Sequence, residues 1–579
     1  MTSTLRPGHF LAVSVDPGSS PLPRPVVRAL AGAGLDAADV VDRELLLRAQ
    51  AGGPASAVAD ADATLGALVD PTAVPSSSGD ELERWVSTVL PPAGRAILES
   101  SASGPRVRVA TDGRAIGEVY ESRGAGWAMA STSPSFLAAA CEASLDEPAV
   151  VLYSQLGHFL GDDTPWIGVR RLGPGEIVTL QRGVVVSAVV PAPVGESMSL
   201  AAATRAVVGA AGARPVELEL SGGLDSRLIL AAMVRADIDV SQCFTIGSPG
   251  EADRELAVSL AEITGLRHEI VDTASIADDS PASLALLAID AGADRGWVAN
   301  PIDAAPLHWV ENGRSPAAGL SGQNGEIARG FYYRGPHRGA PAGRRIELLT
   351  RWRMTANAAL GLDLLRPELG HTLTSAVVDS LGEWLDNSSL RRFLESTDDF
   401  YLRHRMTRWV GPAYGAAARR HPVVAPFFSA GFIDAAGRLS VSERRHSTAV
   451  ARAVVELDAG LADHPLAGGP SPSRLAAGSR AAALAGVTAQ ARKGVRKVSQ
   501  RFGRAPARPS GTGAVAAALA SRVDRLIDTV NGDPLLSSEG LLAIRTNPDP
   551  RDLSFLLSLA AWRSPGEHEA LQSLASPLD

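Results

Sequence analysis

The rhythm of apolar and polar positions changes near residue 200. Before it, short alternating runs at Val107–Ala110, Gly117–Glu121, Gly126–Ala130, Glu176–Leu180 and Val184–Val190 are separated by turn chemistry such as Thr111-Asp112-Gly113 and Gly173-Pro174-Gly175. That pattern predicts an antiparallel, mostly β layer with a few helices. A Pro/Gly/Ser stretch, Pro191–Ser199, reads as a linker. Beyond it come a strand at Val216–Leu220, a helix at Ser226–Arg235, a strand at Cys243–Ile246, a helix at Glu251–Thr264 and a strand at His268–Val271. Strand and helix alternating at this spacing predict a doubly wound parallel sheet. From about Ser283 the pattern is mainly helical. The fold class is therefore α/β, in two domains, residues 1–193 and 200–579.

Length supports that division, since 579 residues exceed what one core accommodates. A formal charge of −8 spread over the chain excludes a general nucleic-acid or membrane-surface binder. No apolar run is long enough to span a bilayer, and Met1–Pro21 lacks a basic-then-apolar signal pattern, so the expected location is cytoplasmic. Two cysteines, Cys141 and Cys243, are too few for a disulfide framework or a thiolate metal site. Nearly every basic residue is arginine; the lysines are Lys493 and Lys497. They lie between Asp463 and Asp524, an interval with no Asp or Glu and many arginines.

The chemistry concentrates in Ser221-Gly222-Gly223-Leu224-Asp225-Ser226, directly after a strand and opening a helix. Paired glycines let a backbone approach an anion without a Cβ in the way. The helix N-terminus adds unpaired N–H groups and a positive dipole end. Ser221 and Ser226 supply hydroxyls, and Asp225 can hold a magnesium ion that bridges phosphate oxygens. Together these parts form a pyrophosphate cradle, more than a turn joining strand to helix.

This S-G-G-L-D-S run resembles the signature of the ATP-pyrophosphatase (PP-loop) superfamily, and the surrounding chain resembles asparagine synthetases and their relatives. Gly161-Asp162-Asp163-Thr164 through Gly173-Pro174-Gly175 is similar to the close of that family's glutaminase-like domain. Phe244-Thr245-Ile246 falls where its second strand meets adenine. Ser321-Gly322-Gln323-Asn324-Gly325-Glu326 is similar to its second signature, and Pro426-Phe427-Phe428 to a later one. The resemblance implies an N-terminal degenerate glutaminase-like domain of the N-terminal-nucleophile type, followed by a PP-loop synthetase domain with added helices. It also implies ATP and Mg2+ as cofactors. Leu220, Ser221, Gly222, Gly223, Asp225, Ser226, Ile246, Ser321 and Gly322 would bind nucleotide, and Asp225 and Glu326 the metal. Lys493, in Ala491-Arg492-Lys493-Gly494-Val495, would steady the charge on departing AMP; such a cation is worth roughly 3 kcal/mol of barrier. Arg444 and Arg445 are weaker candidates for phosphate contact.

Two departures narrow the function. Thr2 stands where the family's glutaminase has its nucleophilic cysteine, and Gln323 stands where asparagine synthetase has glutamate and β-lactam synthetase tyrosine. Glutamine cannot act as a general base. The remaining expectation is a lasso-peptide cyclase, an AMP-forming carbon–nitrogen ligase. It would adenylate an Asp or Glu side chain of a core peptide and close a macrolactam on the peptide's N-terminal amine. Its partners would be a precursor peptide, a leader peptidase and a leader-recognition protein. Alternatives are a small-molecule amide or β-lactam synthetase, a glutaminase-less amidotransferase, and a non-catalytic scaffold.

Overall fold

The computed structural model describes residues 4–35, 43–49, 56–57, 62–65, 68–74, 79–238, 240–247, 251–314, 317–467, 469–478, 511–566 and 569–576. The N-terminal part holds two antiparallel sheets. One runs Val169–Arg171, Tyr120–Gly124, Trp127–Ser131, Phe10–Val15, Glu44–Arg48, Ser56–Ala57 across its width. The other runs Val184–Val189, Glu176–Gln181, Gly104–Thr111, Gly94–Ser101, Asp62–Leu65. Alternation sorts their side chains. Phe10 and Ala12 face Val107, Val109, Val178 and Leu180 in the space between the sheets, while Leu11, Val13 and Val15 point to helices Arg24–Gly32 and Pro134–Cys141. Helix Glu81–Thr88 covers the second sheet through Leu82 and Val86. The result is a helix–sheet–sheet–helix stack.

The second part is built on a five-stranded parallel sheet, ordered His268–Val271, Val240–Ile246, Val216–Glu219, Ala318–Leu320, Val423–Val424. In chain order this is 3-2-1-4-5, so the winding reverses between Val216–Glu219 and Ala318–Leu320. Open α/β sheets bind ligands at such a reversal, outside the carboxyl ends of the strands. The expected strands and helices near the glycine motif are present, the helices as Leu224–Arg235 and Ala252–Thr264. The last two strands in chain order, at Ala318 and Val423, lie inside the region expected to be mainly helical. They span three and two residues, too short for alternation to show, and pairing with the sheet defines them.

Pro191–Ser199, the expected linker, is strapped down. Glu196 N–H donates to Thr72 O (2.9 Å), Val74 N–H to Val194 O (2.8 Å) and Gly195 N–H to Asp434 Oδ2 (2.7 Å). Further bonds cross between the two parts. Arg171 donates to Thr407 O at 2.7 Å, and Trp166 Nε1 to Trp562 O at 3.0 Å. Trp562 belongs to helix Pro550–Arg563 and donates in turn to Trp297 O (2.7 Å). One long helical run, Leu390–Ala418, widens to π-helical geometry over Tyr401–Val410. Such widening is uncommon and concentrates at functional sites. Among the described residues no helix is long and apolar enough to cross a membrane.

Candidate active site

The strand Val216–Glu219 delivers the chain to the reversal point. Leu220 is buried, its N–H held by Phe244 O at 2.8 Å and its carbonyl accepting from Thr245 Oγ1 at 2.7 Å. Two serines then lock the loop. Ser226 Oγ lies 2.9 Å from Ser221 Oγ, donates to Ser221 O at 3.1 Å and accepts from Ser221 N–H at 3.2 Å. Gly222 donates its N–H to Asp253 O (3.0 Å), and an added Cβ would lie 3.0 Å from Leu256 Cβ, so glycine is what lets the loop pack there. Gly223 caps helix Leu224–Arg235 with no side-chain hydrogen bond. The N–H groups of Leu224, Asp225 and Ser226 consequently have no carbonyl partner within the helix, which is the arrangement that binds phosphate.

The second signature follows the neighbouring strand and meets this helix start. A Cβ on Gly322 would lie 3.2 Å from Ser226 N, and one on Gly325 only 2.4 Å from Asp225 Cγ. The intervening Asn324 takes a left-handed conformation (φ 72°) and donates from Nδ2 to Phe427 O at 2.7 Å, which ties Pro426–Phe428 to the same turn. Ser321 is buried and reaches Glu219 Oε2 (3.3 Å). Ile246 ends the strand beside the loop and is half-buried, while Gln323 is exposed.

Asp225 and Glu326 share a cation that sequence reasoning overlooked. Arg329 hydrogen-bonds Asp225 Oδ2 and lies 3.4 Å from Glu326 Oε1. Glu326 Oε2 accepts from the Tyr401 hydroxyl at 3.2 Å. Burial lifts the Asp225 carboxyl to about 6; Arg329 opposes the lift and the charge on Glu326 adds to it. Burial opposes the charge on Arg329, yet Asp225 and Glu326 together hold its pKa above the ordinary value. Burial, then Glu326, push the Tyr401 phenol far upward, so it stays protonated.

Beyond Arg329 lies a wall of further guanidiniums: Arg334, Arg353, Arg405 and Arg445. Among the described residues none of the four has a carboxylate at ion-pair distance. Arg353 and Arg405 stack on Phe331 at 4.3 and 4.8 Å from its centroid, and Arg405 also lies 3.8 Å from the Trp409 centroid. Burial, then Arg329, Arg445 and Arg353, pull the pKa of Arg334 below its ordinary value. Arg444 differs: Asp398 and the Tyr333 hydroxyl engage it. Of the two weaker phosphate candidates, Arg445 therefore joins the wall and Arg444 serves the fold.

These residues fit Mg·ATP. Asp225 Oδ1 is buried with no hydrogen-bond partner, the helix end is open, and two carboxylates already surround one cation. Mg2+ characteristically takes one or two carboxylates plus phosphate and water oxygens, so a two-carboxylate site suffices. Lys493 lies outside the described residues. The structure brings together the remaining predicted positions, Leu220, Ser221, Gly222, Gly223, Asp225, Ser226, Ile246, Ser321, Gly322 and Glu326, at the carboxyl ends of adjoining strands. Arg329 had a local signal, three residues after Glu326 and so on the same face of a turn. Tyr401 had none. No curated protein matches the chain. Residues 200–295, which carry the first signature and the strands on one side of the reversal, match the asparagine synthase family, whose members are ATP-dependent ligases.

Proposed function

We propose that this chain is an AMP-forming carbon–nitrogen ligase and, within that class, a lasso-peptide cyclase. The observation that carries the reading is the contact of the two signatures across the sheet reversal, with Asp225 against Gly325 and Arg329 between two carboxylates. Asp225 and Glu326 would hold Mg2+, which when bound neutralises phosphate charge. The open helix end at Leu224–Ser226 would seat the phosphates. A substrate carboxylate oxygen attacks the α-phosphorus, the bond to the β-phosphate oxygen breaks, and pyrophosphate leaves. The wall of Arg334, Arg353, Arg405 and Arg445 would attract that developing charge, as preorganised cations do at a transition state. An amine nitrogen then attacks the acyl carbon, loses a proton and expels AMP.

The cyclase reading draws its substrate from the sequence: a core peptide's Asp or Glu side chain joins its own N-terminal amine, with a leader peptidase and leader-recognition protein acting beforehand. Gln323 counts against ordinary asparagine synthesis. The test is mass spectrometry of a leader-cleaved candidate precursor incubated with the enzyme and Mg·ATP, with AMP and pyrophosphate followed in parallel. Loss of one water from the peptide, matched by AMP, is the expected result. AMP formation with free amino acids or amines, and none with peptide, would overturn the cyclase and keep the ligase.

One contact favours a second reading, a small-molecule amide or lactam synthetase. Tyr401 brings a phenol to Glu326, at 3.2 Å, although Gln323 lacks one. A compact substrate would need only that phenol–carboxylate pair and the loop.

A further inference from the structure

A second charged cavity lies where the N-terminal sheets meet the parallel-sheet part, and the ligase chemistry does not use it. Its volume is about 600 Å³, and Arg6, Pro7, Gly8, Arg48, Ala49, Asp294, Arg419 and Arg420 line it. That size is in the range of small-molecule sites. The lining comes from both parts of the chain. Arg6 to Gly8 lead into strand Phe10–Val15, and Arg48 ends strand Glu44–Arg48. Asp294 ends helix Pro281–Asp294, and Arg419 and Arg420 follow helix Gly411–Ala418.

The charges there do not balance. Asp294 is engaged from several sides: Arg419 donates to its backbone and side-chain oxygens, Arg420 Nη1 lies 2.9 Å from Oδ2, and His308 Nδ1 and Arg295 Nη1 lie 3.4 and 3.9 Å away. Despite burial, these partners hold the Asp294 carboxyl far below the usual carboxylate range. Among the described residues no ion pair joins it to Arg6 or Arg48. Arg6 has only a half-exposed partner, Asp290, at 3.6 Å, and Arg48 has no carboxylate partner among the described residues. His9, behind the wall, adds no charge, because burial and then Arg419 hold its pKa well below the ordinary value. On the cavity's lining the one carboxylate, Asp294, is taken up by Arg419 and Arg420, and Arg6 and Arg48 stand beside it. Arg419 and Arg420 are explained by their place after a helix C-terminus and by Asp294. Arg6, ahead of strand Phe10–Val15, and Arg48, at the end of strand Glu44–Arg48, are not.

We infer that this cavity is a binding site for a small dianion, a phosphate or a dicarboxylate, gripped by Arg6 and Arg48 against the Arg419–Asp294–Arg420 wall. Arginine suits the role because its planar fork pairs with either oxyanion in bidentate fashion. The site is separate from the glycine loop. Arg419 and Arg420 precede strand Val423–Val424, at the amino end of the parallel sheet, whereas Ser221 and Ser321 follow its carboxyl ends. It stands whatever the substrate of the ligase proves to be.

The test is isothermal titration of the full chain with inorganic phosphate and, separately, with malonate. The first probe reports a phosphate site and the second a dicarboxylate site. Expected is saturable binding of at least one probe, weakened at least tenfold in R6Q/R48Q and unchanged in R391Q, an exposed arginine that does not line the cavity. The exposed single variant R48Q, expected to lose about threefold or more, covers the case in which the double variant is poorly folded. Binding equal to wild type in both arginine variants, or no binding of either probe by the wild type, would overturn the site.

Discussion

Asp112, buried before a turn, and Asp225, half-buried in the first turn of a helix, both have carboxyls raised by burial, yet they belong to opposite kinds of region. Asp112, in the antiparallel part, accepts four backbone N–H groups: Ala93 (3.0 Å), Arg114 (2.9 Å), Ile116 (3.2 Å) and Gly117 (2.7 Å). Asp225, at the parallel-sheet reversal, has one guanidinium on Oδ2 and nothing on Oδ1. A carboxylate surrounded by N–H donors organises a turn. One left half-satisfied in a closed site is available to a ligand, and buried groups of that kind concentrate at functional sites. The antiparallel part uses its polar groups on itself and on the seam with its neighbour; the parallel part holds some of them in reserve.

Substitution should break this contrast in opposite ways. Asp225→Asn is expected to lower ATP-dependent pyrophosphate release by about 10²–10³-fold, in line with removal of a key electrostatic group. Its unfolding midpoint near pH 7 should not fall. With a folded pKa of about 6, above the unfolded value, the neutral form is the one the fold favours. Stability from Asp225 is full below the unfolded pKa and declines as pH rises through 6. A wild-type rate in this variant would remove Asp225 from the chemistry.

Asp112→Ala should do the reverse, orphaning four N–H groups and costing about 3 kcal/mol of stability, seen as a lower urea midpoint. Activity per folded molecule should hold. Next in size, Arg329→Gln is expected to cost about tenfold or more in turnover. It should also move the acid limb of the pH–rate profile upward, because Arg329 is what pulls the Asp225 pKa down. An acid limb that stays in place would show that Asp225 does not set it.

The smallest effect expected is from Gly325→Ala. Its Cβ would fall 2.4 Å from Asp225 Cγ, so the two signatures must part by a few tenths of an ångström or more. Turnover should drop by about tenfold or less, given how steeply rates depend on such alignment, with little change in the unfolding midpoint. Equal turnover would mean that the signatures need not touch.

Several of these positions were legible without coordinates. Ser221 to Ser226 announced themselves because the cradle is local chemistry: two glycines, two hydroxyls and a carboxylate between a strand and a helix. Some of the antiparallel strands, such as Glu176–Gln181 and Val184–Val189, and the first three parallel strands followed from alternation and turn residues, whereas Phe10–Val15, Glu44–Arg48 and Gly94–Ser101 were not read from the sequence. Arg171, Trp166 and Trp562, which join the two parts, carried no pattern that marked them, since a buried arginine bonded to carbonyls looks in sequence like any other arginine.

From residue order alone came the α/β class, the parallel sheet and the loop that opens its first helix, since those rest on contacts between near neighbours along the chain. The placement of Tyr401 on Glu326, 75 residues apart, depended on the whole chain being folded. So did the convergence of Arg334, Arg353, Arg405 and Arg445, the short strands Ala318–Leu320 and Val423–Val424, and the arginine-lined cavity at the seam. Each requires distant segments to be packed before its side chains can meet, and no local periodicity records which distant segment will arrive.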